Sequence, residues 1–135
     1  MSIRADLKST AFPTEEAGGP EENKADDKRI VFIVSLHVKP GCEAELLGLL
    51  TPVLDAMRHE ATFINAALHR DPADPTRFML YETWADLDDV TQVQIHRAYR
   101  RAYLARLPEI LREPRQVQFW QPLRGDFTFF AMADR

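Results

Sequence analysis

Residues 62–84 read TFINAALHRDPADPTRFMLYETW, two apolar runs separated by a cluster of turn-forming residues. Residues 71–76 are Asp-Pro-Ala-Asp-Pro-Thr, and Asp and Pro at this density interrupt regular structure. The flanking runs carry β-branched and aromatic residues with a two-residue alternation, which is typical of strands. Because the connection is short, the two strands become antiparallel neighbours. We predict a hairpin with strands over residues 62–70 and 77–84.

Side chains in a strand alternate between two faces, so the hairpin residues divide into two sets. In the first strand, Phe63 and Asn65 are predicted to share one face. In the return strand, Glu82 and Trp84 are predicted to share one face. Glu82 is expected to pair with an arginine or with backbone amides, because an unpaired buried carboxylate is costly.

The segment before the hairpin predicts a strand and then a helix. Residues 30–38, IVFIVSLHV, are mostly apolar on both faces and indicate a central strand. Residues 39–41, Lys-Pro-Gly, end this strand. Apolar residues then recur at steps of three or four through His59, as in an amphipathic helix. Pro52 lies inside this helix and is expected to kink or split it.

The segment after the hairpin predicts a second helix and a last strand. Residues 86–89, Asp-Leu-Asp-Asp, begin a helical region that we extend to about Leu111, with acidic side chains at the positive end of the helix dipole. The arginines within residues 97–106 are expected to form a solvated face. Residues 115–123 predict the last strand, and residues 127–132 are a further apolar run.

The predicted order of elements is β-α-β-β-α-β, the split arrangement of the ferredoxin-like α+β fold, with an antiparallel sheet and helices on one face. The other face then has no cover, and leaving Phe and Trp in water costs about 25 cal/mol per Å². We therefore predict a homodimer in which a second subunit covers this face. Residues 30–135 form the predicted domain, with an apolar C-terminal tail. Residues 1–29, rich in acidic residues, Pro and Gly, are predicted to be a flexible arm.

Charge and cysteine content exclude several classes of partner. The 17 Lys and Arg residues against 21 Asp and Glu give a formal net charge of −4, so we expect no nucleic-acid partner. A single cysteine, Cys42, excludes an internal disulfide and a Cys-based zinc cluster, and agrees with a cytoplasmic location. No apolar run approaches the ~20 residues that cross a bilayer, so we expect no membrane partner.

Three stretches together resemble one protein family. The hairpin residues 70–84 end in Glu-Thr-Trp, the first strand closes with Lys-Pro-Gly at residues 39–41, and Leu-Arg-Glu-Pro at residues 111–114 precedes the last strand. These stretches resemble the antibiotic biosynthesis monooxygenase (ABM) domain proteins, small dimeric α+β barrels that include quinol monooxygenases and polyketide-tailoring oxygenases. The resemblance covers residue 30 to about residue 123.

The resemblance implies oxygen insertion without a metal or flavin cofactor. The chain agrees with this, since it has no glycine-rich nucleotide loop and no clear metal-ligand spacing among its four histidines. The implied partners are O₂ and a small aromatic, quinol or polyketide-like substrate, which supplies the electrons. Two alternatives remain open: a non-catalytic barrel that binds an aromatic ligand, and a haem-degrading monooxygenase.

Such a reaction needs a base, donors for the developing oxyanion and a dry aromatic slot. The candidate catalytic residues are His96 as base, Tyr99 three residues further along the same predicted helix, and Asn65 as a neutral group that holds a carbonyl or phenolate oxygen. Four side chains with flat rings are the candidate substrate-binding residues: Trp84, Phe63, Tyr103 and His37.

One position departs from the family pattern. Members commonly carry a histidine nine or ten residues after this Trp, where the chain has Val93 and Gln94, and His96 lies two residues beyond. The sequence also leaves a purely structural interpretation open for each candidate. In that interpretation, His96 is a surface or interface histidine, Trp84 is a core residue, and Asn65 provides hydrogen-bonding groups at a sheet edge.

Overall fold

The computed structural model describes residues 27–128, which form a four-stranded antiparallel sheet with helices. Its elements in chain order are β1 (Ile30–His37), α1 (Glu43–Met57), β2 (Phe63–Asp71), β3 (Asp74–Trp84), α2 (Leu87–Gln92), α3 (Arg101–Ile110) and β4 (Gln116–Trp120). The strand order is β2-β3-β1-β4, and every neighbouring pair is antiparallel. The predicted ferredoxin-like α+β fold is confirmed.

One face of the sheet and the helices share the hydrophobic core. Alternate residues of β1, such as Phe32 and Leu36, lie in the core with Leu50 of α1 and Leu107 of α3. A buried Leu or Phe of this kind stabilises the fold by about 1.5–3 kcal/mol relative to an exposed one. The core therefore fixes α1 and α3 against the sheet.

The opposite face of the sheet carries apolar side chains outside this core. Ile33, Met79 and Tyr81 are only half-buried, and Trp120 of the edge strand β4 is 55% exposed. Among residues 27–128, these apolar side chains are incompletely buried, as the sequence predicts for a face that a second subunit would cover. The second subunit itself remains a prediction.

The predicted long helix over residues 86–111 is wrong in its middle. The Asp86 side chain caps α2 by accepting hydrogen bonds from two backbone N–H groups, but α2 ends at Gln92. Two 3₁₀ turns follow, Gln94–His96 and Ala98–Arg100, separated by Arg97 in an extended conformation (φ −62°, ψ 136°). Polar contacts of this segment with the α1–β2 loop, described below, replace helical hydrogen bonds. His96 and Tyr99 are therefore not on one helix.

The predicted face of Phe63 is also wrong. The register shifts between Phe63, which pairs with Trp84, and Asn65, which pairs with Thr83. This irregularity leaves Ile64 as an extra residue, so strict alternation fails across it. Phe63 consequently lies on the core side with Trp84, whereas Asn65 lies on the opposite face.

Smaller differences concern the ends of elements. α1 is one helix through Pro52, so the predicted split does not occur. β4 is shorter than the predicted strand over residues 115–123, and the turn of the hairpin is narrower than predicted because β3 already begins at Asp74. Most of the predicted arm (residues 1–29) and of the apolar run over residues 127–132 lies outside the described residues.

Candidate active site

Trp84, at the end of β3, is the centre of a buried polar cluster. Its side chain is 0% exposed, and its indole N–H donates a hydrogen bond of 2.8 Å to Oε1 of Glu82. The Phe63 ring packs edge-on against the indole, with ring centroids 5.4 Å apart and an interplanar angle of 81°. The Glu-Thr-Trp ending of β3 thus places a carboxylate and an indole side by side on the core face.

Arg100 covers this cluster from the second 3₁₀ turn. Its guanidinium carbon lies 6.0 Å from the centroid of the Trp84 ring and 5.5 Å from that of the Tyr99 ring, both within range of a cation–π contact. Arg100 is only 8% exposed, so the predicted solvated face is wrong for this residue. The extended backbone at Arg97 breaks the helix and lets the following turn direct Arg100 inward.

The Nε–H of Arg100 is a buried donor that lacks an acceptor among residues 27–128. Leaving a buried donor of this kind without a partner costs about 1–3 kcal/mol, and more when the group is charged. Such groups call for a specific explanation, and a binding site for an acceptor is one. Arg100 therefore has unused hydrogen-bonding capacity directed into the protein.

A small cavity of about 20 Å³ lies where Arg100, Glu82 and Tyr103 meet. Arg115 also lines it, and the remaining walls are apolar side chains of β1, β3, α1 and α3: Val34, Leu50, Val53, Met57, Leu80 and Leu104. The volume is enough for about one water molecule. Burial raises the pKa of Tyr103, so its phenol stays protonated at neutral pH and can donate a hydrogen bond. We call this cavity and its four polar side chains the chamber.

A second polar cluster ties the 3₁₀ segment to the loop between α1 and β2. The carboxylate of Glu60 accepts hydrogen bonds from Nε2 of Gln94 (3.2 Å), Nη2 of Arg97 (3.0 Å) and the hydroxyl of Tyr99 (2.9 Å). Gln94 Nε2 also donates to Asp89 at 3.0 Å. These bonds hold the segment that carries Arg100 over the sheet.

The same contacts determine the acidity of Glu60 and Tyr99. Burial by itself would raise the pKa of Glu60, but the hydrogen bonds from Tyr99, Gln94 and Arg97 outweigh it and hold this pKa below its ordinary value. Burial and the hydrogen bond to Glu60 raise the pKa of Tyr99 to about 12. Tyr99 is therefore a protonated donor that is already bonded to Glu60.

The structure brings some predicted site residues together and separates others. Trp84 and Phe63 are in contact, and Tyr103 lines the cavity beside Glu82. His96 is exposed, in the turn before Arg97.

Two further candidates lie away from the chamber. Asn65 is on the opposite sheet face, with its Oδ1 buried and lacking a hydrogen-bond partner among the described residues. His37 is at the end of β1, with Nε2 3.3 Å from Asp74 Oδ2 and Nδ1 3.8 Å from Glu113 Oε2. The roles predicted for His96, Tyr99, Asn65 and His37 remain predictions.

The sequence reasoning missed Arg100 and Arg115 as chamber residues. It also gave Glu82 a purely structural pairing with an arginine or backbone amides, whereas Glu82 lines the cavity and accepts a hydrogen bond from the Trp84 indole. The spacing of three from Arg100 to Tyr103 was the available signal, because residues three apart share a helix face and Tyr103 is a candidate substrate-binding residue. Arg115 directly follows a proline at the start of the predicted strand, and nothing in its local pattern marks it.

With this geometry in view, the comparisons with known proteins define the class. The profile of the antibiotic biosynthesis monooxygenase family matches residues 29–105, and the chain belongs to this family. A protein of Pestalotiopsis microspora, whose name assigns it provisionally to the monooxygenases, is 32% identical over 98 residues, covering 69% of this chain and 82% of the relative. The predicted family is confirmed, and both likenesses support monooxygenase activity.

Solved structures agree with the fold. A structure from Nitrosomonas europaea, provisionally assigned to antibiotic biosynthesis monooxygenases, has a TM-score of 0.68 at 20% identity and covers 73% of this chain and 93% of its own. A protein from Mycobacterium tuberculosis has a TM-score of 0.67 at 18% identity, covering 73% of this chain and 98% of its own. At these identities the likeness establishes the fold alone. Within the described residues, no helix is both long and apolar enough to span a membrane.

Proposed function

We propose that this protein is a cofactor-independent monooxygenase that oxidises a small aromatic, quinol or polyketide-like substrate with O₂, and that the reacting oxygen of the substrate binds in the chamber. The observation that carries this proposal is the buried Nε–H of Arg100, which lacks an acceptor among the described residues. A phenolate oxygen is an acceptor of the required charge, and a charge-assisted hydrogen bond is stronger than a neutral one.

The chamber residues can divide the chemistry among them. The carboxylate of Glu82 accepts the phenolic proton, and Arg100 with the phenol of Tyr103 stabilises the resulting anion. The apolar walls exclude water, which strengthens these interactions. With a quinol, the electron-rich anion reacts with O₂ to give a hydroxyquinone and water. One oxygen atom enters the ring, the other leaves as water, and the quinol supplies all the electrons.

Oxygen uptake with a panel of quinols and hydroxylated aromatics tests this proposal. The expected result is uptake of one O₂ per substrate without added metal, flavin or reductant. Tight binding of these compounds with no uptake would contradict the proposal and favour the non-catalytic barrel.

The non-catalytic barrel has one observation in its favour. Gln94, at one of the two positions where the family commonly has histidine, is buried and hydrogen-bonded to Glu60 and Asp89.

His96→Ala distinguishes the base predicted from sequence from the chamber. Because His96 is exposed, we expect the variant to retain most of the oxygen-uptake rate. A loss of about 100-fold or more, the size typical of removing a general base, would assign that role to His96 instead.

The same variant tests haem binding. If the absorption spectrum of haemin mixed with the protein is identical with and without the His96 side chain, the haem-degrading alternative that depends on His96 is removed.

We also infer that the protein is a homodimer joined through the sheet face that carries Ile33, Met79, Tyr81 and Trp120. These side chains are half-buried or exposed in the single chain, and covering them removes apolar area from water. Sedimentation at micromolar concentration is expected to give twice the chain mass of 15.5 kDa. Met79→Asp is expected to halve that mass, and a natural protein that sediments at 15.5 kDa contradicts the inference.

A cytoplasmic location remains a prediction from the single cysteine.

A further inference from the structure

A groove of about 310 Å³ lies along the second half of α3 and the connection to β4. Five of its lining side chains are apolar and three are charged: Leu104, Leu107, Pro108, Leu111 and Pro114, with Arg112, Glu113 and Arg115. Pockets that bind small molecules begin at about 300 Å³ and have this composition, apolar walls with a few polar groups. The groove is large enough for a molecule of one or two aromatic rings.

The groove adjoins the chamber. Leu104 and Arg115 line both of them, so these two side chains form the wall between the groove and the cavity. The cavity holds only about one water molecule, which is too little space for any aromatic ring. The groove is therefore the adjoining space in which the rest of a substrate can lie while its oxygen reaches Arg100.

The charges of the groove indicate the chemistry of its ligand. Two arginines against one glutamate leave an excess of one positive charge. Arg112 is held in place, because it donates to the backbone oxygen of Val38 at 3.1 and 3.2 Å and to the hydroxyl of Thr76 at 3.1 Å. A fixed guanidinium beside apolar walls suits a flat apolar molecule with an acidic oxygen, either a carboxylate or a phenolate.

We propose that this groove binds the apolar body of an aromatic substrate with an acidic oxygen, and that Leu104 is the specificity-determining side chain that its reacting end must displace to enter the chamber. Leu104 is half-buried and packs at the edge of the core, so it can move at lower cost than a fully buried leucine. The choice of ligand rests on the proposed monooxygenase function. The binding experiment below does not require turnover.

The test is a titration of the full chain with 2-naphthoate, followed by two-dimensional ¹H–¹⁵N NMR. The expected result is saturable movement of the backbone amide signals of the groove-lining residues other than Pro108 and Pro114, which have no backbone N–H. The indole N–H of Trp84 is a reporter of the chamber, because it is bonded to Glu82 in the cavity wall. Movement confined to other surfaces, or none at all, overturns the proposal.

Substitutions of Leu104 test its role as the wall. The shift of the Trp84 indole signal at saturation is expected to be larger in Leu104→Ala than in the natural protein, and smaller in Leu104→Phe. The matched control is Leu54→Ala, which removes another half-buried leucine packed at the core edge but absent from both cavities. Equal indole shifts in all four proteins overturn the role of Leu104. Because Leu104→Phe removes no packing, it keeps the test valid if Leu104→Ala fails to fold.

Other occupants of the groove give different results. If the groove amides move when the chain is cut after Thr128, its own C-terminal segment fills the groove and the proposal is wrong. If they move on dilution without ligand, a second copy fills it and the proposal is again wrong. Failure of the proposed monooxygenase function can be told apart from failure of the groove proposal. In that case 2-naphthoate moves the amide signals of the groove, but no quinol or phenol supports oxygen uptake.

Discussion

Arg100→Met is expected to reduce the kcat/KM of oxygen uptake by about 10²–10³-fold, the loss typical of removing one donor to a developing oxyanion. The reason is that Met fills similar space but cannot donate to the phenolate from the position of Nε. Stability should not fall in parallel, because the Nε–H of this buried guanidinium lacks an acceptor, and replacing a buried charged group with an apolar side chain of similar volume is often neutral or stabilising. Thermal unfolding and initial rates of oxygen uptake measure the two effects separately.

The matched control is the neighbouring substitution Arg101→Met. Arg101 begins α3 and is exposed, so its loss removes the same charge without touching the chamber. We expect Arg101→Met to retain the rate of the natural protein. If both variants lose activity equally, the loss comes from the change in net charge. That result would contradict a specific role for Arg100 in the chamber.

Trp84→Ala is expected to lower the free energy of unfolding by about 3–5 kcal/mol, the range found when a buried Trp or Phe is truncated. Two losses add here. The substitution leaves a cavity and removes the contacts of the indole with Phe63 and Arg100. The buried Oε1 of Glu82 also loses the hydrogen bond that it accepts from the indole N–H. Because a domain of this size has a total stability of about 5–15 kcal/mol, the variant should be close to unfolding at 37 °C.

Urea unfolding followed by circular dichroism measures this loss. The control is Phe127→Ala, which truncates an aromatic residue that is 81% exposed and should change the free energy of unfolding by less than about 0.5 kcal/mol. A loss below about 1 kcal/mol in Trp84→Ala would mean that the indole is not part of the packed core.

The sequence predicted the fold because its strands obey a simple alternation. In β1, residues such as Phe32 and Leu36 alternate with side chains of the opposite face, and the Asp-Pro turn fixes the hairpin. The alternation failed at Ile64, where an extra residue in β2 shifts the register and moves Phe63 to the core side. The register shifts a second time between Arg70 and Asp71, next to the turn. A bulge of this kind is decided by the packing of Phe63 against Trp84, a contact between strands that no local pattern contains.

The site was predicted less completely, because its geometry depends on a broken helix. Helical periodicity over residues 86–111 placed Arg100 in solvent and His96 one turn from Tyr99. Glu60, far away in the sequence, instead draws Gln94, Arg97 and Tyr99 into hydrogen bonds. The helix is interrupted, and Arg100 turns inward. The motif around Trp84 was visible from the sequence, but the guanidinium that covers it could not be assigned without this tertiary contact.

The most direct test of the chamber is oxidation of an active quinol under ¹⁸O₂, with mass spectrometry of the product from the natural protein, Arg100→Met and Arg101→Met. We expect one ¹⁸O atom per product molecule with the natural protein and Arg101→Met, formed at least about 100-fold more slowly with Arg100→Met. Product that gains its oxygen from water, or ¹⁸O incorporation at an unchanged rate without the Arg100 guanidinium, would contradict the assignment of the chamber as the site of oxygen insertion.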